Sequence, residues 1–312
     1  MATAAGEVWT TRRLLLWMRQ TFTSRGIDAP GLTAEMLLAH VLGCDRLRLH
    51  MEADRPASGE ERERLRDLVG RALKHEPVQY LVGEGWFFGM PFTVDRRVLI
   101  PRPGSGTIVE AVLEHARVTP AFGGPPGKEA GEGVLIADIG TGSGCLAVTL
   151  LKRLPRARAV ATDLSAGALE VARENASRHG VSDRIDFIEG DMVSALDRHP
   201  VAKGAGTVHY LVSNPPYIPD HEWAAVEPNV RCHEPESALR GGADGLRYVR
   251  VLIEEGPRVI RPGGLLLVET ADSTASTACG LAGASPDLEG ARVLTDFEGL
   301  PRVVMARRLG GG

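Results

Sequence analysis

The chain has 312 residues, of which 43% are hydrophobic and 24% charged, the make-up of a soluble globular protein with room for one large domain and a smaller one. Its net charge of −4 argues against nucleic acid as the main partner, although a local basic patch can hide in an average. The four cysteines, Cys44, Cys145, Cys232 and Cys279, lie far apart with no CxxC spacing. That pattern offers no zinc or redox framework; it points to free thiols in a reducing cytoplasm and no bound metal.

The N-terminal stretch breaks its apolar run with Arg12, Arg13 and Arg19, so it reads as neither a signal peptide nor a membrane span. Three helices are expected before Pro77. The first, "TTRRLLLWMRQTF", puts Leu14, Trp17, Met18 and Phe22 on one face, with Thr10 or Thr11 as cap. The second, "TAEMLLAHVLG", has Thr33 as its cap and Gly43 as its stop. The third, "SGEERERLRDLVGRALKHE", starts acidic and ends basic, as the helix dipole favours, and its charge run reads as a solvated face. Residues 80–100 then read as a short hairpin with Gly83, Gly85 and Gly89 as turn residues. A helix follows over "TIVEAVLEHARV", and the Gly/Pro-rich stretch 119–133 reads as a flexible surface loop.

From residue 133 strands and helices alternate. Buried strands are expected in "GVLIADIG", "RAVATDLS", "DRIDFIEGD", "VHYLVSNPPY" and "LLLVET", with helices between them. "ARVLTDFEG" and "PRVVMARRL" read as a terminal antiparallel pair. The fold class is therefore α/β: a mostly parallel sheet covered by helices, preceded by a small helical domain. The expected boundaries are 1–78 for the helical domain, 79–104 for a hairpin linker and 105–312 for the sheet domain. Ligands of such sheets bind beyond the strand C-termini, where the chemical motifs fall.

"ADIGTGSGC", residues 137–145, ends the first of these strands. Gly140, Gly142 and Gly144 let the backbone turn tightly and approach a ligand, with Thr141 and Ser143 between them. The spacing is GxGxG, whereas the dinucleotide fingerprint is GxGxxG. Asp138, just before the loop, disfavours a pyrophosphate and favours a cationic ligand. S-adenosylmethionine, with its ammonium and sulfonium, fits better than NAD. Asp163 ends the second strand about 20 residues on, where a carboxylate accepts from ribose hydroxyls. Asp191 and Met192 end the third, placed for an adenine amino group and ring.

The fourth strand stops at Asn214-Pro215-Pro216-Tyr217. A stiff strand end that presents an amide and an aromatic ring suits methylation of a planar nitrogen. The Asn214 side-chain oxygen and the Pro215 carbonyl would accept its two N–H groups, and Tyr217 would stack on its plane.

"DIGTGSG" with "NPPY" resembles the signature of amino-group and amide methyltransferases acting on DNA adenine, rRNA guanine or protein glutamine. "AEMLLAHVLGCDRLRLH", "EPVQYLVGEGWFFGMPFTVDRRVLIPRP", "NPPYIP" and the "HEPESAL…GGADGL" region narrow the resemblance to the release-factor glutamine methyltransferases, the PrmC/HemK family, from about residue 10 to 308. The resemblance implies S-adenosylmethionine-dependent N5-methylation of the glutamine in the Gly-Gly-Gln motif of class 1 peptide chain release factors, gripped by the helical domain. It also implies a Rossmann-like methyltransferase domain. The Gly140–Gly144 loop, Asp163, Met192 and Asn214 match the family's cofactor contacts, and Asn214 to Tyr217 its glutamine-binding tetrapeptide. No membrane or direct nucleic-acid partner is expected, and monomer is the default.

The chain departs from the family at Gly104-Ser105-Gly106, where an acidic residue followed by Thr-Glu is usual. Weaker cofactor affinity or an altered substrate is expected from the lost charges and added glycines, with Ser105 able to replace the threonine hydroxyl. Cys232 and Arg240 stand where the family mostly or often has Asp, and "VETADST" lacks its usual Gly and Gln. Two further readings compete. One is a nucleic-acid amino methyltransferase holding an extruded base; the other is a degenerate, non-catalytic release-factor binder. Trp86, Phe87 and Phe88 read as interdomain packing. His233 and Glu234 are expected to fix the loop after Tyr217, Arg102 to brace the active-site loop, and His209 to be a core or edge residue.

Overall fold

Capping chemistry sets the N-terminal helices. In the computed structural model, which describes residues 8–119, 122 and 130–310, the Thr10 side chain accepts from the Arg13 N–H and opens α1 (Thr11–Ser24). Ser58 and Glu61 close a reciprocal capping box on α4 (Gly59–Ala72). Between them lie α2 (Pro30–Leu42) and α3 (Arg46–Met51). Thr33 is not the cap of α2. Pro30 starts that helix one turn earlier, after Ala29 in a left-handed conformation, and the Thr33 hydroxyl donates to the Asp28 carbonyl. Gly43 ends α2 at φ 62° as expected. A short α5 (Val78–Val82) follows Pro77. Leu14, Met18, Phe22, Leu37, Leu38, Leu65 and Val69 form the core of this unit, with Trp17 partly buried at its margin.

The chain divides into two compact units. One runs to Glu84 and takes in Glu227–His233, which carries α9 (Pro228–Arg231); the other holds Gly85–Val226 and everything from Glu234 on. Within the first unit the His233 ring lies 3.0 Å from the Lys74 carbonyl, a contact that tethers the part of the connection after Tyr217 that belongs to this unit.

The hairpin is formed by β1 (Glu84–Phe87), which from Gly85 on belongs to the second unit, and β2 (Met90–Thr93). Of the three glycines only Gly89 lies in its turn, next to Phe88: Gly83 caps α5 and Gly85 lies inside β1. Phe87 enters the second unit's own core with Phe92, and Phe88 packs against it, while Trp86 stays 60% exposed. Then come α6 (Gly106–Val118), β3 (Leu135–Ile139), α7 (Cys145–Arg153), β4 (Arg158–Asp163), α8 (Ala166–Arg178), β5 (Ile185–Glu189) and β6 (Val208–Ser213). The chain closes with α10 (Arg247–Glu255), β7 (Ile260–Glu269), α11 (Ala275–Ala284), β8 (Leu288–Thr295) and β9 (Pro301–Arg308). Of the stretch expected as a surface loop, residues 120, 121 and 123–129 lie outside the described residues; Phe122 is buried and its carbonyl accepts from the Tyr210 hydroxyl at 2.7 Å.

The seven-stranded sheet has the order β5-β4-β3-β6-β7-β9-β8. β3 to β7 are parallel, and β9 runs antiparallel to both β7 and β8. Both faces of β6 are buried, as helices on each side of a parallel sheet require. Alternation sends Ile136, Tyr210 and Val212 to one core with Ile108 and Leu150, and Ala137, Val160 and Leu211 to the other with Val249 and Leu252. Each buried aliphatic side chain there contributes about 1.5–3 kcal/mol. The strand order reverses between β3 and β6, so a crevice opens beyond their C-terminal ends.

Candidate active site

At that switch point lies a cavity of about 530 Å³, within the ~300–1,000 Å³ usual for small-molecule sites. The glycine loop forms one wall. Gly140, Gly142 and Gly144 take φ of 71°, 55° and 79°, which residues with a Cβ rarely adopt. Nothing lies within 4 Å of a Cβ built on Gly140 or Gly142, whereas one on Gly144 would come 3.2 Å from the Ala172 Cβ. The first two therefore leave room at the cavity wall, and the third lets α7 pack on α8.

Asp138 holds the loop from behind. It is fully buried, and its Oδ2 accepts from the Thr141 hydroxyl (2.7 Å) and the Ala147 N–H (3.2 Å). Its Oδ1 has no partner among the described residues. Burial pushes its carboxyl up to about 6, against the pull of these two hydrogen bonds. Asp163 accepts the Gly142 N–H on Oδ2 and the Ser165 N–H on Oδ1, each at 2.9 Å, and burial raises it as well. Asp191 is exposed on the cavity wall. Beside it Met192 sits at φ 45°, ψ −140°, a strained conformation of the kind that gathers at functional sites.

Gly140, Thr141, Gly142, Ser143, Asp163, Asp191, Met192, Asn214 and Pro216 line the cavity. Asp138, Gly144, Pro215 and Tyr217 are not on its wall: the first two hold the loop and Pro215 is buried. The Tyr217 hydroxyl donates to Glu269 Oε1 at 3.0 Å, and burial beside that carboxylate raises its pKa. Asn214 Nδ2 donates to Ser105 Oγ at 3.0 Å, and Ser105 Oγ donates to Glu269 Oε2 at 2.5 Å.

Glu269 was not visible as a site residue in the sequence. It is the final residue of the apolar strand β7, and the signal for it is the one that exposed Asp138 and Asp163, a carboxylate at the C-terminal end of a buried strand. Ser105 ends a 3-10 turn leading into α6 and is 2% exposed, so the Gly104–Gly106 segment is pinned at its centre. Neither glycine is on the cavity wall. Glu234 lies in the connection after Tyr217 and anchors it: it accepts the Ile100 N–H (3.0 Å) and pairs with Arg102, in the segment beside the cavity. Arg240 pairs with Asp220 and Glu236. His209 is a buried core residue, kept neutral by burial and by Arg261, which push it down to about 4.

The donor set fits S-adenosylmethionine. The loop leaves space where side chains would intrude, and Asp138 keeps a buried, unpartnered carboxylate oxygen behind it, a feature that a cationic ligand compensates. Asp163 and Asp191 add negative charge on the wall itself.

The chain is similar to known proteins in both of its units. Residues 13–83 match the PrmC N-terminal domain, and residues 128–231 the methyltransferase small domain. The release factor glutamine methyltransferase of Chlorobaculum tepidum is 43% identical over 95% of this chain and 96% of its own length. That of Geobacter sulfurreducens is 39% identical over 88% and 89%. The hMettl16 catalytic domain in complex with the MAT2A 3'UTR hairpin 6, at 14% identity, shares the fold with a TM-score of 0.53 over 72% of this chain and 77% of that one. With relatives this similar along nearly its whole length, the chain belongs to the family of release factor glutamine methyltransferases.

Proposed function

We propose that the chain transfers a methyl group from S-adenosylmethionine to the N5 side-chain amide of the glutamine in the Gly-Gly-Gln motif of class 1 peptide chain release factors. The observation that carries this reading is the amide of Asn214, on the cavity wall with its Nδ2 already committed to Ser105. That commitment leaves Oδ1 as an acceptor for an incoming N–H.

An amide nitrogen is a poor nucleophile because its lone pair is delocalised, and removing its proton first is too costly at neutral pH. S-adenosylmethionine, when bound, supplies an electrophilic methyl group. The Gly140–Gly144 loop, Asp163, Asp191 and Met192 would hold it, with Asp138 contributing charge from behind. Asn214 Oδ1 and the Pro215 carbonyl would accept the two N–H groups of the substrate amide, aim its nitrogen and stabilise the positive charge that develops there. Pro215 and Pro216 stiffen the backbone that presents these acceptors. Tyr217, tethered through its hydroxyl, would stack on the amide plane. The proton leaves after transfer, so no general base is needed beforehand.

The helical unit would grip the release factor, and the protein would act as a cytoplasmic monomer. Among the described residues no helix is long and apolar enough to cross a membrane. The test is transfer from labelled S-adenosylmethionine to a purified class 1 release factor beside its Gly-Gly-Ala variant. Label on the first alone is expected. Label on both would displace the acceptor from that glutamine, and label on neither would refute the activity.

A further inference from the structure

Ser105, Glu269, Asn214 and Tyr217 form one hydrogen-bonded chain that ties two distant segments to the acceptor tetrapeptide. Ser105 has one hydroxyl proton and gives it to Glu269. Toward Asn214 its oxygen can then only accept. An asparagine side chain offers a donating end and an accepting end, and a wrongly turned amide would point N–H groups at a substrate that itself brings N–H groups. The direction of the relay decides which end faces the cavity.

We propose that Ser105 and Glu269 are positioning residues: together they hold the Asn214 side chain with Nδ2 inward and Oδ1 toward the acceptor, and Glu269 fixes Tyr217 through its hydroxyl. The inference deepens the amide-methylation reading and rests on it for its consequence in turnover, though the relay itself does not. Glu269 is 1% exposed, and burying a carboxylate costs free energy that an apolar strand end would avoid. A tie between β7 and the start of α6 that served stability alone is made more cheaply by apolar side chains. Here both carboxylate oxygens are spent on groups that lead to the tetrapeptide. Burial raises the Glu269 pKa, while the Ser105 and Tyr217 hydrogen bonds and the Arg302 and Arg102 charges oppose that shift. Cys145 is the remaining titratable group whose own ionisation feels Glu269.

Two readouts test the relay, on the full chain. The first needs no substrate: solvent exchange of the Asn214 side-chain amide protons followed by NMR, their signals assigned by their loss in Asn214→Asp. Ser105→Ala should lower the protection of these protons about tenfold, and Ser105→Thr, which keeps the hydroxyl, should retain it. The second is steady-state kinetics with a release factor. Ser105→Ala should lower kcat by about 10–100-fold, the scale of small misplacements at a reacting centre, and leave KM for S-adenosylmethionine within about twofold. Ser105→Thr should restore kcat. Glu269→Gln gives an independent route to the same loss of amide protection should Ser105→Ala fold poorly. Unchanged amide protection in Ser105→Ala, or in Glu269→Gln where that variant stands in for it, would overturn the proposal. So would a Ser105→Thr enzyme as impaired as Ser105→Ala. A wild-type protein that methylates no release factor would remove the methylation reading, and the exchange measurement would still decide the relay.

Discussion

Asp138→Asn separates the stability of the glycine loop from its function. Asp138 is fully buried, and its carboxyl is pushed up to about 6 from an ordinary 3.8. With the folded-state pKa raised, the favourable contribution of the protonated group is complete below the unfolded value and is lost as pH rises through the folded one. About two units at 1.36 kcal/mol each make the ionised side chain cost about 3 kcal/mol above pH 7. Asparagine keeps an oxygen for the Thr141 hydroxyl and the Ala147 N–H without the charge. Urea unfolding from pH 4 to 8 should therefore show the variant gaining on the wild type as pH rises, the gap levelling near 3 kcal/mol above pH 7. Titration calorimetry with S-adenosylmethionine should show the opposite sign, a loss of affinity, because the ligand loses a buried counter-charge. A stability gap that does not change with pH would refute the desolvation argument. Unchanged affinity would refute the electrostatic role of Asp138 in the cradle.

Asn214→Ala should lower kcat by a factor of about 10² to 10³, the scale of losing one preorganised polar group, with the urea midpoint unmoved because Asn214 is only partly buried. Asp163→Ala should raise the dissociation constant for S-adenosylmethionine by calorimetry, since the carboxylate lines the cavity and also holds the Gly142 N–H. Gly142→Ala and Gly144→Ala should part company. The first puts a methyl in open space at the cavity wall and should weaken cofactor binding most. The second meets Ala172 at 3.2 Å as well as the positive φ, and should cost about 1–3 kcal/mol of stability by denaturant titration. Gly104→Asp should change the S-adenosylmethionine dissociation constant by no more than about twofold, as a substitution off the cavity wall should. A tenfold tightening would instead show that the missing acidic loop matters to the cofactor.

What could be read in the sequence was whatever a single segment states about itself. Three glycines after an apolar strand announce a backbone in the left-handed region, and two prolines after another announce a rigid end. Those local constraints put the chemical motifs beyond the strand C-termini; that the cavity opens between β3 and β6 follows from the strand order. Thr33 misled because capping is a competition, and Pro30 with Ala29 before it starts the helix a turn sooner. Gly85 misled because a glycine can also sit inside a strand, here with a Cβ position at an ordinary contact distance of 3.5 Å from the Pro101 ring and no turn to make.

The acceptor relay could not be read in this way. Ser105 and Glu269 are 164 residues apart, Ser105 and Asn214 are 109 apart, and neither the Ser nor the Glu departs from what a helix start or a strand end ordinarily carries. Gly104 and Gly106 read as lost charge in the sequence, yet neither lies on the cavity wall, where Asp163 and Asp191 stand, and Arg302, which a Cβ at 104 would meet at 3.2 Å, is already paired with Asp296. What the segment retains is the one hydroxyl that Asn214 leans on. For the proposed presentation of an acceptor oxygen to an amide, the direction in which Asn214 is turned is set by a hydroxyl, and Ser105 supplies it in place of the threonine that the resemblance leads one to expect.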